Sequence, residues 1–441
     1  MTAKTVVVGA GMAGLAAART LHDAGSQVVV LEARGRVGGR THTDRSLGMS
    51  VDLGAAWLHG PVGNPLTPLV EEAGIVSGYT DFTNELGTSL MAIGTHGEVL
   101  DIEAYSEGLQ LYYGACEHLW GTVLGPFPDE NCRSLSDLYR HGFPGTGVLS
   151  PAQRQGFSYA STIRAQEADA AGLEEIDWRQ SADYLKLPGG DLLLYGGGYN
   201  RLTDQLAQGL EIRLNAAVTR IDYGGDGVVL TTGHGVERCE RAILTLPLGV
   251  LKMGSIEFAP ALPKHKSAAI ERLGMGRYEK LALRFPRRFW PLTPHRFNYL
   301  SGEPPELFAS WLNLAHYMGE PVLMAYFGGE RADHMNALAD DALIEGAMVA
   351  LEVMFGARVP APEAFVRSRW RGDPFARGSY SFAKVGALQG DRRELAQGLQ
   401  GKLFFAGEAT HPHYFGTVHG AYETGVRAAW EVLEEAARAP F

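Results

Sequence analysis

The stretch TVVVGAGMAGLAAARTLHDAGSQVVVLE, residues 5–32, reads as strand, tight turn, helix and second strand. Its apolar run is followed by Gly9, Gly11 and Gly14 in the G-x-G-x-x-G spacing, with Ala13 beside the last glycine. Gly9 permits the turn, Gly11 leaves room for a pyrophosphate to approach the backbone, and Gly14 lets helix and strand pack closely; the helix amino end offers N–H groups to phosphate. The second strand ends in Glu32, 18 residues past Gly14. A carboxylate there accepts hydrogen bonds from both ribose hydroxyls and repels a 2′-phosphate, so the expected dinucleotide is FAD or NAD rather than NADP. Glycine turns also serve simple packing; it is the ordered succession within so short a stretch that favours a bound dinucleotide.

Outward from this unit, a chain of 441 residues with 45% hydrophobic content can bury a large core and form two or more domains. The net charge of −11, with no Lys/Arg cluster against it, argues against a nucleic-acid partner. An acidic protein attracts cations, which suits an amine substrate, and solubility explains the same balance. Cys116, Cys132 and Cys239 are odd in number and widely spaced, so they read as reduced thiols, with neither a disulfide framework nor a zinc pattern. No apolar run reaches the ~18 residues of a membrane span. With a first strand so close to Met1, the expectation is a cytoplasmic chain without leader or anchor. No feature of the sequence fixes the oligomeric state.

Residues 79–190 change character, mixing helix-like segments (104–121 and 150–172) with Pro/Gly breaks and showing no parallel-strand run. Residues 211–246 return to strands that read as hairpin-linked, with Gly224, Gly225 and Gly227 supplying a turn. YEKLALRF, residues 278–285, alternates, with Leu281, Leu283 and Phe285 on one face. The chain then closes on LFFAGEATHPHYFGTVHG, residues 403–420, and a final helix. Cofactor-type segments at the start, middle and end predict an α/β fold in which a discontinuous cofactor domain carries two insertions.

GAGMAGLAAA, LEARGRVGGRT, DLGAAWLHG, LGMGRYEKLAL, RWRGDPFARGSYS and FAGEATHPHYFGTVHGAYETG, in that order from Thr5 to about Trp430, resemble the flavin amine oxidase superfamily, with polyamine (spermine/spermidine) oxidases as the nearest likeness. The resemblance implies a Rossmann-like FAD-binding domain from residues 1–78, 195–270 and 390–441. An α+β substrate-binding domain then comes from 79–194 and 271–389. It also implies FAD bound without a covalent link, because Ser379 stands where monoamine oxidases place a tethering cysteine. Tyr380 keeps one wall of their aromatic cage while Thr417 replaces the other, opening the site to a longer chain. Unlike the related histone demethylases, the sequence has no long helical insertion before Lys280.

Residue by residue, the resemblance places Glu32, Ala33 and Arg34 at the adenosine, Gly39 and Arg40 against the pyrophosphate, and Gly54, Ala55, Ala56 and Trp57 along the flavin edge. The Val218 backbone reaches the adenine, Gly407 and Glu408 the ribityl-phosphate region, and Thr417 and Val418 the pyrimidine end. His59 and Trp370 lie near the ring, although each also reads as an ordinary core residue. On pattern alone Lys280 sits with Ala282 and Arg284 on the polar face of a strand; the resemblance instead links it through water to flavin N5, where burial depresses its pKa. Asp183 and Tyr184 are candidate substrate contacts, and Trp178, Tyr195 and Tyr326 candidate pocket walls, against loop and core alternatives. His411, His413 and His419 lack the companion ligands of a metal site, and the family is metal-free.

The implied reaction passes a hydride from an amine α-carbon to flavin N5, after which the imine hydrolyses and O2 reoxidises the flavin, giving hydrogen peroxide. Removing the proton from an ammonium at neutral pH costs roughly 4 kcal/mol, which the site must offset by desolvating that nitrogen. Polyamines keep other nitrogens charged for anchoring. Monoamine, putrescine and amino-acid oxidases, carotenoid-desaturase-like flavoproteins and a flavin-bearing scaffold are the competing expectations.

Overall fold

The computed structural model describes residues 4–82, 84, 86–122, 133–137, 149–181, 183–302 and 306–438. Cys132 and the side chain of Cys116 lie outside the described residues; Cys239 is buried with a free thiol.

Thr5–Val8 is β-branched throughout and buried on both faces, the signature of a central strand in a parallel sheet. It lies between Val28–Leu31 and Arg241–Leu244, with Glu211–Arg213 and Leu403–Phe405 outermost, all parallel. Residues 211–213 and 241–244 therefore join this sheet rather than the hairpins suggested by their sequence. Hairpin pairing is confined to Val218–Asp222, Val228–Thr232 and Gly235–Cys239, which form a separate sheet with Glu257–Ala259. Local alternation could not separate the two groups, because each contains short apolar runs.

The helix Met12–Asp23 packs on the sheet and against the last helix, Val418–Arg438. Both contacts are backbone to backbone. A Cβ on Gly14 would lie 1.9 Å from the Gly9 carbonyl oxygen, and one on Gly425 would lie 2.1 Å from that of Ala13. The N- and C-terminal segments are thereby clamped together at the Gly9 turn, where φ is +105°.

A second, six-stranded sheet runs in the order Ala364–Arg367, Tyr278–Arg284, Val322–Gly328, Ser310–Asn313, Arg296–Tyr299, Leu90–Ile93. It is antiparallel except at its last pair. The strand Leu90–Ile93, parallel to Arg296–Tyr299, lies in a region that showed no such run by sequence. In Tyr278–Arg284, Leu281 and Leu283 enter one apolar cluster, and Tyr278 and Ala282 enter another. Both faces are covered, so the polar face suggested for Lys280 is an interior one. Helices Ile102–Thr122 and Pro151–Ser158 pack beside this sheet, the latter opened by a Ser150/Gln153 capping box. A π-helical turn, Tyr159–Arg164, and a last turn, Ala165–Asp169, continue it. Trp57–His59, Asp191–Leu194 and Ser77–Thr80 form a small antiparallel sheet.

Two predictions follow the packing. Gly14→Ala forces the Gly9 turn and the first helix apart, so it is expected to lower Tm by the equivalent of about 1–3 kcal/mol and to reduce bound flavin, read from thermal unfolding and the visible absorbance of purified protein. His295 and His419 are buried, and loss of hydration pulls their pKa down to about 4 and about 3. An unfolded histidine titrates near 6.5, so stability is intact above that pH and is lost as pH falls toward 4, where only the unfolded chain takes up these protons. Tm measured across that range is expected to fall, and to fall less in His295→Gln.

Candidate active site

One cavity of about 1070 Å3 runs from the Gly9 turn to the six-stranded sheet. That is roomy for a single small ligand and suits a dinucleotide with a substrate beyond it. At one end, Gly9, Gly11, Met12 and Ala13 line it with the amino terminus of the first helix. A Cβ on Gly11 would project into open space, with only the Gly39 Cα as near as 4.0 Å, so the gap is a cradle that this glycine keeps clear. Glu32, at the end of its strand, is buried and accepts hydrogen bonds from the N–H groups of Ala10 (2.7 Å) and Arg34 (2.8 Å). Ala33, Arg34 and Val218 line the same end.

Glu408 stands midway. Its carboxylate accepts from Arg40 Nη1 (2.9 Å), Ser381 N (3.1 Å), Ser381 Oγ (2.7 Å) and Gly416 N (2.8 Å). Burial by itself would raise its pKa; the charge of Arg40, the Ser381 hydroxyl and the charge of Arg392 outweigh that and hold it below its ordinary value. Gly39, Arg40, Gly407 and Glu408 all face the cavity. So do Thr417 and Val418, at the positive end of the last helix, where the Thr417 hydroxyl accepts from Gly420 N–H at 3.0 Å. Among the described residues Ser379 Oγ has no hydrogen-bond partner although it is buried there, a polar atom that a ligand in the cavity could satisfy.

Three successive carbonyls on the strand side are bound by two side chains. Lys280 Nζ donates to Asp52 O (2.9 Å) and Gly54 O (2.6 Å), and Trp370 Nε1 donates to Leu53 O (2.9 Å). Lys280 is 2% exposed, and burial pulls its pKa down to about 8 against the opposing pull of the Asp52 carboxylate. Its ammonium lies 5.3 Å from the Trp57 ring centroid and 5.6 Å from that of Tyr326. Ring contacts run on from Tyr326 to Tyr278 (5.9 Å) and from Tyr278 to Tyr380 (6.0 Å), so Trp57, Tyr326, Tyr278 and Tyr380 make one aromatic wall. Tyr380 is fixed by its hydroxyl, which donates to Glu167 O at 2.5 Å.

Ala55, Ala56, His59, Trp178 and Tyr184 also line the cavity, and His59 Nδ1 pairs with Asp191 at 2.7 Å. Gly14 and Asp183 do not line it. Gly14 is spent on packing against Gly9, and the main-chain oxygen of Asp183 accepts from His413 Nδ1 at 3.0 Å. Tyr195 packs against Tyr317 instead. Among the described residues no group of His, Cys, Asp and Glu could hold a metal. His411 pairs with Glu423. The sequence reading passed over Tyr278, Asp52 and Asp169. Tyr278 could have been found, since it shares a face with Lys280 two residues on.

Residues 12–433 match the family model described as flavin containing amine oxidoreductase. The chain belongs to this family. Its cofactor is FAD, and Ser379 lines the cavity at the position where the tethering cysteine of monoamine oxidases was expected. Rice (Oryza sativa subsp. japonica) polyamine oxidase 4 is 35% identical over 97% of the chain and 88% of the relative. Human lysine-specific histone demethylase 2 is 32% identical over 97% of the chain and 53% of its own length, so the chain spans about half of that protein. Cyclohexylamine oxidase from Brevibacterium oxydans IH-35A shares the fold, with a TM-score of 0.80 at 22% identity over 99% of this chain and 100% of that one. No helix among the described residues is long and apolar enough to cross a membrane.

Lys280→Met keeps the bulk while removing the ammonium. Turnover with amines is expected to drop by a factor of ten or more while flavin content stays near wild type; flavin absorbance and oxygen consumption check both.

Proposed function

We propose that this flavoprotein oxidises polyamines such as spermine and spermidine, releasing an aldehyde, a smaller amine and hydrogen peroxide. The observation that carries the reading is the sharing of one cavity by a dinucleotide cradle and by an aromatic wall with Lys280 against it. The likeness to plant polyamine oxidases over nearly the whole chain supports it. Residues 1–78, 195–270 and 390–441 would hold the cofactor, and 79–194 and 271–389 the substrate.

In this reading Glu32 holds the adenosine ribose, Arg40 the pyrophosphate, and Thr417 and Val418 the far end of the ring system. FAD, when bound, supplies the hydride acceptor and passes the electrons to O2. The chain's own residues prepare the amine. Trp57, Tyr278, Tyr326 and Tyr380 exclude water around the reacting nitrogen, which favours its uncharged form, the one with a lone pair to push the hydride out. Lys280 holds a proton at Nζ and, with burial bringing its pKa down to about 8, can exchange it with a water in the cavity. The small side chain at Thr417 leaves room for a long substrate.

Under anaerobic conditions spermine or spermidine is expected to bleach the flavin absorbance, and admitting air is expected to yield peroxide. Flavin that stays oxidised with every polyamine overturns the substrate assignment, and turnover of an N-methyl-lysine peptide in their place would assign demethylase chemistry.

A further inference from the structure

Two arginines line the cavity beside the aromatic wall. The guanidinium carbons of Arg164 and Arg296 lie 4.1 Å and 4.7 Å from the centroid of one ring, that of Phe82, which lines the cavity with them. Tyr278 and Tyr380 feel the charge of Arg164, and Tyr326 feels that of Arg296, so the pair belongs to the substrate end and not to the dinucleotide cradle. Arg296 is buried on a strand of the six-stranded sheet, and Arg164 closes the π-helical turn Tyr159–Arg164. Such turns concentrate at functional sites.

Positive charge is in excess there. Glu167 pairs with Arg331 at 2.9 Å and with Arg164 at 3.6 Å, so one carboxylate serves two guanidinium groups. Arg296 has no ion pair among the described residues; it donates to Phe82 O (3.2 Å) and to the Tyr159 hydroxyl (3.1 Å), which in turn donates to Ser310 Oγ (3.0 Å). Neighbouring acids are engaged elsewhere. Asp191, which feels Arg164, pairs with His59, the Asp81 carboxylate accepts from Leu86 N at 2.8 Å, and Asp169 feels Arg392 instead. A guanidinium keeps its charge at any working pH and presents a planar fork that matches a carboxylate. Burying it is costly unless an anion meets it, so two arginines kept at a cavity wall on one shared counter-charge form a binding device, not a stabilising one.

We propose that Arg164 and Arg296 bind a carboxylate at the far end of an amine substrate, so that the enzyme oxidises amino carboxylates as a class of their own. With the carboxylate held there, the amine end lies along the aromatic wall toward Lys280. The arginines neutralise the carboxylate, so it does not retain the proton that must leave the nitrogen. The carbon bearing the primary amine gives up a hydride to FAD and the ammonium a proton. Water then adds to the imine and ammonia leaves, giving an aldehyde acid, while O2 takes up the two electrons and two protons as hydrogen peroxide. This inference goes beyond the polyamine reading and does not rest on it.

The test uses the FAD-loaded enzyme without oxygen. The probes are 4-aminobutanoate, 6-aminohexanoate and 8-aminooctanoate, each set against its own primary amide, which has the same length and no charge at the far end. Affinity is read from the saturation of flavin reduction or, where no reduction occurs, from the shift in flavin absorbance. For at least one length, wild type is expected to bind the carboxylate about tenfold or more tightly than the amide, and to be reduced by it. Arg164→Gln is expected to bring the two within about threefold, and Arg164→Lys to keep part of the preference. Amides that match their carboxylates at every length in wild type, a measurement that needs no variant, overturn the proposal, as does an unchanged ratio in Arg164→Gln. Spermine measured alongside separates the two readings. Reduction by spermine with no carboxylate preference upholds the polyamine reading and sinks this one, and the converse result upholds this one alone.

Discussion

The carboxylate of Glu408 is the knot of the molecule. It gathers Arg40, Ser381 and Gly416, three segments far apart in sequence, around one buried charge. An unpaired carboxylate in that position would be untenable, and removing any single partner from a buried charge is strongly destabilising. The cavity keeps its shape because the charge is satisfied only when the glycine-rich N-terminal unit, the loop before Phe382 and the C-terminal loop are all in place. The parallel sheet brings these segments near one another, and the Glu408 network sets their final spacing.

A comparable economy governs the strand side of the cavity. Burying an ammonium is expensive unless hydrogen bonds replace its water, and Lys280 gets them from the carbonyls of Asp52 and Gly54. With Trp370 on the carbonyl between them, the same three peptide units position both side chains. Lysine and tryptophan are therefore fixed to the segment that leads into Trp57, so these cavity residues are held as one body. Buried Glu279 reinforces this, accepting from Ser368 Oγ and from Arg371 N on either side of Trp370.

How much could be read in advance followed from how local the signal was. The dinucleotide unit was legible because glycine spacing, apolar strand and terminal acid all lie within one βαβ stretch, and each has its own physical reason to be there. Lys280 was ambiguous for a reason that lies outside its strand. Alternation identifies two faces, and the sequence could not say that the second, shared by Ala282, Met324 and Tyr326, would be covered by Val51, Leu53 and Ala56. The parallel strands at 211–213 and 241–244 were misread for the same cause, since partner choice depends on segments hundreds of residues away. Asp169 left no trace at all: an aspartate near a helix end in an Ala-rich stretch looks solvated until the tertiary fold wraps a cavity around it.

The central place of Thr5–Val8 in its sheet bears on how the chain is made. This innermost strand is flanked by Arg241–Leu244, which in turn has Leu403–Phe405 at its other edge. Pairings of such long range close late and slowly. Until residues 403–421 have joined the fold, only part of the cavity lining is in place. Completion of the flavin cradle thus waits on a strand almost 400 residues beyond the glycine turn, and without that strand the edge of Arg241–Leu244 is left open.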